Sequence, residues 1–286
     1  MDFKKYLTLI KPGIVRGNAL AATAGFLLAA NGHIQIDRGL GMLVGISLVV
    51  ASACVCNNYL DRDIDKRMAR TKKRALVTGS ISTHAALGFA GALGLAGFLL
   101  LARYTNTLTI GLAAFGFVSY VFVYGYAKRV TVHSTLIGSF SGSAPLVVGY
   151  CAVTNRFDLG ALLLFLIMMI WQMPHFFAIS LYRRKDYQAA KVPVLSVKKS
   201  PEAVQRQIVA YIVLYCLTVP LLTLFGYTGV VYLVVMLWLG VVWLRFALKG
   251  YPNGEDGEAW AKRLFLLSII ILPVWCLLLG LNAWLI

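Results

Sequence analysis

Nine stretches of roughly twenty predominantly apolar residues recur along this chain of 286. Each is long enough to cross a bilayer as a helix. They fall near 14–32, 39–60, 84–102, 107–127, 134–154, 159–182, 207–226, 229–248 and 264–285. Hydrophobic residues make up 59% of the sequence and charged residues only 13%, too apolar a balance for a soluble domain of this size. The fold class expected is all-α: a polytopic membrane bundle of about nine transmembrane helices.

Charge tests that count. If the N-terminus and every second connection share one side, that side carries all of the 27 basic residues except Arg38, Arg103 and Arg156. Such asymmetry places it in the cytoplasm, giving an N-in, C-out topology. The net charge of +16 then reflects topology and attraction to anionic lipid, and no nucleic-acid-binding motif is present. Lys4, Lys5 and Lys11 before an apolar run superficially resemble a signal peptide, but the run is long and more spans follow, so it is read as a retained first helix. The five cysteines lie scattered within spans and are read as buried small side chains rather than disulfides or zinc ligands.

The whole chain, 1–286, reads as a single membrane domain. Two cytoplasmic connections, 61–83 and 183–206, are longer and more polar than the rest, so charge-dependent chemistry is expected there. At the start of the first stand Asn57, Asp61 and Asp65, spaced i, i+4 and i+8. On a helix these oxygen-bearing side chains line one face, and such a row at a membrane boundary is costly unless something positive satisfies it. Hard oxygen donors suit Mg²⁺ and leave room for water and phosphate. The same pattern also serves a helix end whose acids pair with neighbouring bases. Asp63 falls on another face. Seven basic residues follow between Arg62 and Arg74, more than topology needs; of these, Arg62, Lys66 and Arg70, at four-residue steps beside the acids, are candidates to clamp a diphosphate and stabilise it as a leaving group. In the second connection Asp186 could hold a further Mg²⁺, with Arg183 and Lys185 on phosphate; a surface ion pair is the plain alternative.

Within the sixth span, Trp171-Gln172-Met173-Pro174-His175 places an ionisable residue about two turns inside the membrane, a position that marks function by default. Iron ligation, proton transfer and a substrate hydrogen bond all suit it. His133 is a weaker candidate, and His33 and His84 read as loop residues. The small-residue run Gly138–Pro145 suits close helix packing. Arg16 and Asn18 bring polarity to the inner end of the first span. Tyr120 and Tyr124 share a face, as an aromatic belt or as rings shielding a carbocation.

An Asn-x₃-Asp-x₃-Asp segment at a helix end, basic residues after it, nine spans and a second charged connection resemble the UbiA superfamily of intramembrane prenyltransferases. Within it the chain looks most like the members that farnesylate haem. The matches are Lys11-Pro12-Gly13-Ile14, Asn57 to Asp65, Arg70-Thr71-Lys72-Lys73-Arg74, Trp171 to Phe176 and Lys185 to Ala190. The resemblance implies a helical bundle around a central cavity, capped by the two charged connections. It implies Mg²⁺ as cofactor, held by Asn57, Asp61 and Asp65, with Arg62, Lys66, Arg70 and Arg74 supporting the leaving group, farnesyl diphosphate and haem B as substrates and haem O as product. It also implies a multi-pass protein of a bacterial inner membrane, an active site facing the cytoplasm, and a link to assembly of a haem-copper terminal oxidase. His175, Gln172, Asn18 and Tyr124 are assigned to the acceptor side. Superfamily members that prenylate aromatics usually carry a second Asp-x₃-Asp; here Asp186 is followed four residues on by Ala190, which disfavours an acceptor such as 4-hydroxybenzoate. A haem or lipid transporter without chemistry is the alternative of another class, and Mg²⁺-dependent diphosphate release separates the two.

Overall fold

The computed structural model describes residues 3–251 and 255–285. Among them every regular element is helical, and nine helices are long and apolar enough to cross a membrane. They are α1 (Pro12–Ala30), α2 (Ile36–Leu60), α3 (Thr83–Tyr104), α4 (Thr107–Val130), α5 (Ser134–Thr154), α6 (Leu159–Tyr182), α7 (Pro201–Leu224), α8 (Val230–Leu248) and α9, whose membrane-crossing part is Gly257–Gly280. The fifth and sixth match the expected bounds. The ninth does not: its helix begins at Glu255 and ends at Gly280, earlier at both ends than the expected 264–285, while residues 252–254 lie outside the described residues. Beyond Gly280, Asn282 leaves the helix to donate to the Tyr227 carbonyl and accept from the Gly229 amide.

Consecutive helices pack on one another, and α9 returns to α1 to close the bundle. The closest crossings are built on glycine. A Cβ at Gly149 of α5 would collide with the Ala22 carbonyl of α1, and one at Gly25 of α1 with the Leu146 carbonyl of α5. In lipid, where burying apolar surface gives little drive, such backbone approach is what packing supplies. Both partners of this crossing face a core in which Leu146, Val147 and Cys151 are fully buried. Polar struts complement it: Gln172 of α6 donates to the Ser139 carbonyl and the Ser143 hydroxyl of α5.

α4 is not a uniform helix. Ser119–Tyr124 forms a π-helical segment between α-helical halves, a geometry that concentrates at functional sites. Outside the spans, the connections after α2 and α6 meet along an apolar seam of Ile64 and Met68 against Ala190, Val192 and Val194, with Tyr187 packed on its edge.

Candidate active site

α2 ends at Leu60, but its rhythm survives the break. The Asp61 amide donates to the Asn57 carbonyl at 2.9 Å and the Asp65 amide to the Asp61 carbonyl at 2.8 Å, so the three side chains stay on one face through the short helix Arg62–Asp65. All three are buried, and each meets a cation. Lys11 Nζ donates to Asn57 Oδ1 at 2.7 Å, Lys128 Nζ lies 2.6 Å from Asp61 Oδ2, and Arg74 Nη1 lies 2.6 Å from Asp65 Oδ2. Arg74 also donates to Asn58 Oδ1, and Asn58 Nδ2 donates to the Leu9 carbonyl. Asp63, on the other face, is gripped by both guanidinium nitrogens of Arg129 at 2.7 and 2.8 Å. Those bonds hold its carboxyl down at about 2.

Lys11 sits at the entry to α1 in a left-handed conformation, φ 53°, which costs a residue with a side chain energy and aims its ammonium inward. Burial is the main influence on that ammonium and lowers it to about 8. On the opposite side Lys128 Nζ stands 5.0 Å from the Tyr124 ring centroid, and Tyr124 stacks on Tyr120 at 5.7 Å.

Two atoms in this cluster are buried without a partner: Asn57 Nδ2, a donor, and Asp61 Oδ1, an acceptor. Arg129 Nη2 stands 3.9 Å from the latter, beyond hydrogen-bond reach. Orphaned buried polar atoms are costly in a native fold. A ligand bearing both a cation and anionic oxygens would satisfy the two together. Two buried carboxylates and an amide are a hard donor set of the kind Mg²⁺ takes. Among the described residues no three His, Cys, Asp or Glu side chains gather as a metal-binding group, so Asp186 is not drawn in with Asp61 and Asp65.

The UbiA prenyltransferase family model matches residues 18–270. The chain belongs to the UbiA prenyltransferase family. Among its relatives, proteins named protoheme IX farnesyltransferase from Sodalis glossinidius and Pectobacterium atrosepticum are 51% and 53% identical. Those matches cover 94% and 93% of this chain and 91% and 90% of theirs. A digeranylgeranylglyceryl phosphate synthase shares the fold at a TM-score of 0.79 and 19% identity, over 99% of both chains. A UbiA homologue from Archaeoglobus fulgidus, solved with GPP and Mg²⁺, does so at 0.71 and 12% identity, over 96% of this chain and 99% of that one.

The structure redistributes the basic residues expected around the acids of this UbiA member. Of the expected clamp, Arg74 touches the acidic row. Arg62 instead donates to the Tyr59 carbonyl and the Thr83 hydroxyl and stacks on the Tyr59 ring. With Lys66 it lines a cleft of about 530 Å³ on the outer side of the segment. Lys66 and Arg70 are exposed; Arg70 acts electrostatically on the phenol of Tyr187, which burial pushes up and Arg70 pulls down. Lys11, Lys128 and Arg129 were not among the expected site residues. A signal existed for two of them: Lys11 opens the first matched motif, and Lys128 lies four residues beyond Tyr124.

In the second connection Lys185 pairs with Glu258 at 3.2 Å in solvent, the plain ion pair, and Arg183 stacks on Tyr182. On the acceptor side, Asn18 Nδ2 donates to the Ile14 carbonyl of its own helix, and Gln172 spends its amide hydrogens on α5 and the Met168 carbonyl. Tyr124 packs against Gly138. His175 Nδ1 meets Ser268 Oγ of α9 at 2.7 Å, and its ring stacks on Trp171 at 4.8 Å.

Proposed function

We propose that the chain transfers a farnesyl group from farnesyl diphosphate to a vinyl group of haem B with addition of water, giving haem O. The observation that carries the reading is the buried row Asn57, Asp61 and Asp65, ringed by Lys11, Arg74 and Lys128, with one donor and one acceptor left open. Near-full-length relatives of that name, about half identical, support the substrates.

Asp61 and Asp65, with Asn57, would hold Mg²⁺. When bound, the ion neutralises charge building on the diphosphate. Lys11, Lys128 and Arg74 supply ammonium and guanidinium donors to the phosphate oxygens as the allylic C–O bond breaks and its electron pair leaves with the diphosphate. The stacked Tyr120 and Tyr124 present ring faces to the farnesyl cation. The vinyl π electrons attack that carbon. The resulting cation beside the porphyrin takes up water, which releases its proton to solvent. The bilayer suits both greasy substrates and excludes water from the cation until it has reacted.

The basic asymmetry supports an acidic row that faces the cytoplasm, and the bacterial relatives support an inner membrane. On this reading Asp186, Arg183, Lys185 and Arg70 sit in the cap over the site. The product would pass to assembly of a haem-copper terminal oxidase. The test is product analysis: detergent-purified protein is given haem B, farnesyl diphosphate and Mg²⁺, with an EDTA control, and the pigments are weighed by mass spectrometry. Haem gaining a farnesyl group plus water, only with Mg²⁺, is expected. Unchanged haem B from folded protein that still transfers the farnesyl group to another acceptor with release of diphosphate would refute the haem assignment, and no diphosphate release at all would refute the transferase.

A further inference from the structure

His175 lies in α6 with an aromatic surround that fixes more than its position. Its ring stacks on Trp171, meets Phe176 edge-on at 5.0 Å, and leans on Phe265 of α9 at 5.1 Å. The Ser268 hydroxyl donates to the Phe265 carbonyl at 2.5 Å, so its one hydrogen is spent. The 2.7 Å contact between Ser268 Oγ and His175 Nδ1 must therefore run the other way, with Nδ1–H donating. No acidic side chain pairs with the ring among the described residues, and an uncompensated imidazolium in so apolar a place is costly. The ring is then the neutral Nδ1–H tautomer, and Nε2 carries a lone pair that no described residue donates to. The side chain is only half-buried, so that lone pair is not sealed away. Trp171, stacked on the ring, is buried and its indole N–H has no acceptor.

An imidazole whose Nδ1–H is held by a second group and whose Nε2 is free is the arrangement that ligates metal. We infer that His175 Nε2 is an axial ligand to the iron of the haem substrate, with Ser268 as the residue that orients it. The inference rests on haem being the acceptor. Iron coordination would anchor the macrocycle by its centre.

The test is optical and EPR spectroscopy of ferric haem B titrated into detergent-purified protein, run beside the product assay. The wild type is expected to shift the Soret band to that of a histidine-ligated haem. His175→Ala and the size-conserving His175→Gln should lose the shift and weaken haem binding about tenfold or more, and added imidazole should restore the band. Ser268→Ala should keep a ligated spectrum with weaker binding. A wild-type spectrum retained in both His175 variants, in protein that still makes haem O, overturns the inference and leaves the proposed reaction standing. A wild type that ligates no haem yet farnesylates it also overturns it, whereas failure of every form to farnesylate haem overturns the reaction instead.

Discussion

Replacing Lys128 by methionine tests the electrostatic logic of the acidic row. The ammonium lies 2.6 Å from Asp61 Oδ2, with side-chain exposures of 9% and 13%. At an effective dielectric near 20, two unit charges at that distance attract by roughly 6 kcal/mol. Desolvation offsets much of that attraction, but removing one partner of a buried pair leaves the other uncompensated and costs about 3–5 kcal/mol. Asp61 already has one oxygen without a hydrogen bond, and the other cation beside it, Arg129 at 3.9 Å, is engaged by both oxygens of Asp63. Thermal unfolding followed by tryptophan fluorescence in detergent should show Lys128→Met melting roughly 6–20 °C below wild type. Two further readings sharpen the test. Adding Asp61→Asn should recover part of the loss, because the orphaned charge is gone. Millimolar Mg²⁺ should raise the melting point of Lys128→Met more than that of wild type, because the ion then meets an uncompensated carboxylate. A Lys128→Met protein as stable as wild type, or a double variant no better than the single one, would refute the reasoning.

Asp61→Ala or Asp65→Ala should lower turnover by at least about 10²-fold while the protein still inserts in membranes; retained activity in both, measured by product formation, would remove the metal role. Burial lowers Lys11 to about 8, so its charge, and with it affinity for the diphosphate, should fade as pH rises through that value. The alkaline limb of kcat/KM for farnesyl diphosphate should lie there and move upward in Lys11→Arg. For stability the sign is opposite: a lysine depressed in the fold burdens it below about 8, and the burden lifts as pH climbs toward 10.5. Gly149→Ala, whose Cβ meets the Ala22 carbonyl, should cost about 1–3 kcal/mol or more, read as a lowered melting temperature, while Gly88→Ala, with open space, should be neutral or better.

The nine spans were legible because membrane length and charge asymmetry are local, additive properties of a sequence. The acidic row was legible for the same reason: four-residue spacing is a statement about one helix, and its hydrogen-bonded rhythm persists past Leu60. Its counter-charges were not. Lys11 and Lys128 stand 46 and 67 residues from the side chains they meet, pairings set by how α1 and α4 pack on α2. Arg62, adjacent in sequence, turns to Tyr59 and Thr83 instead, since a neighbour on a helix points to a different face. The π-helical Ser119–Tyr124, which precedes Lys128, carries no composition cue that separates it from ordinary helix. His175 was conspicuous as an intramembrane ionisable residue, but Ser268, which settles its tautomer, is 93 residues away.

The apolar seam between the two connections has a thermal consequence. Ile64, Met68, Ala190, Val192 and Val194 lie outside the spans, where water drives them together. The helices below are held in lipid by close packing, which does not depend on water. Hydrophobic attraction weakens on cooling; packing against glycine in a bilayer has no such dependence. Chilled protein should therefore slacken first at its lid, with the bundle unmoved, so that hydrogen exchange at 187–194 rises in the cold relative to the amides of α5.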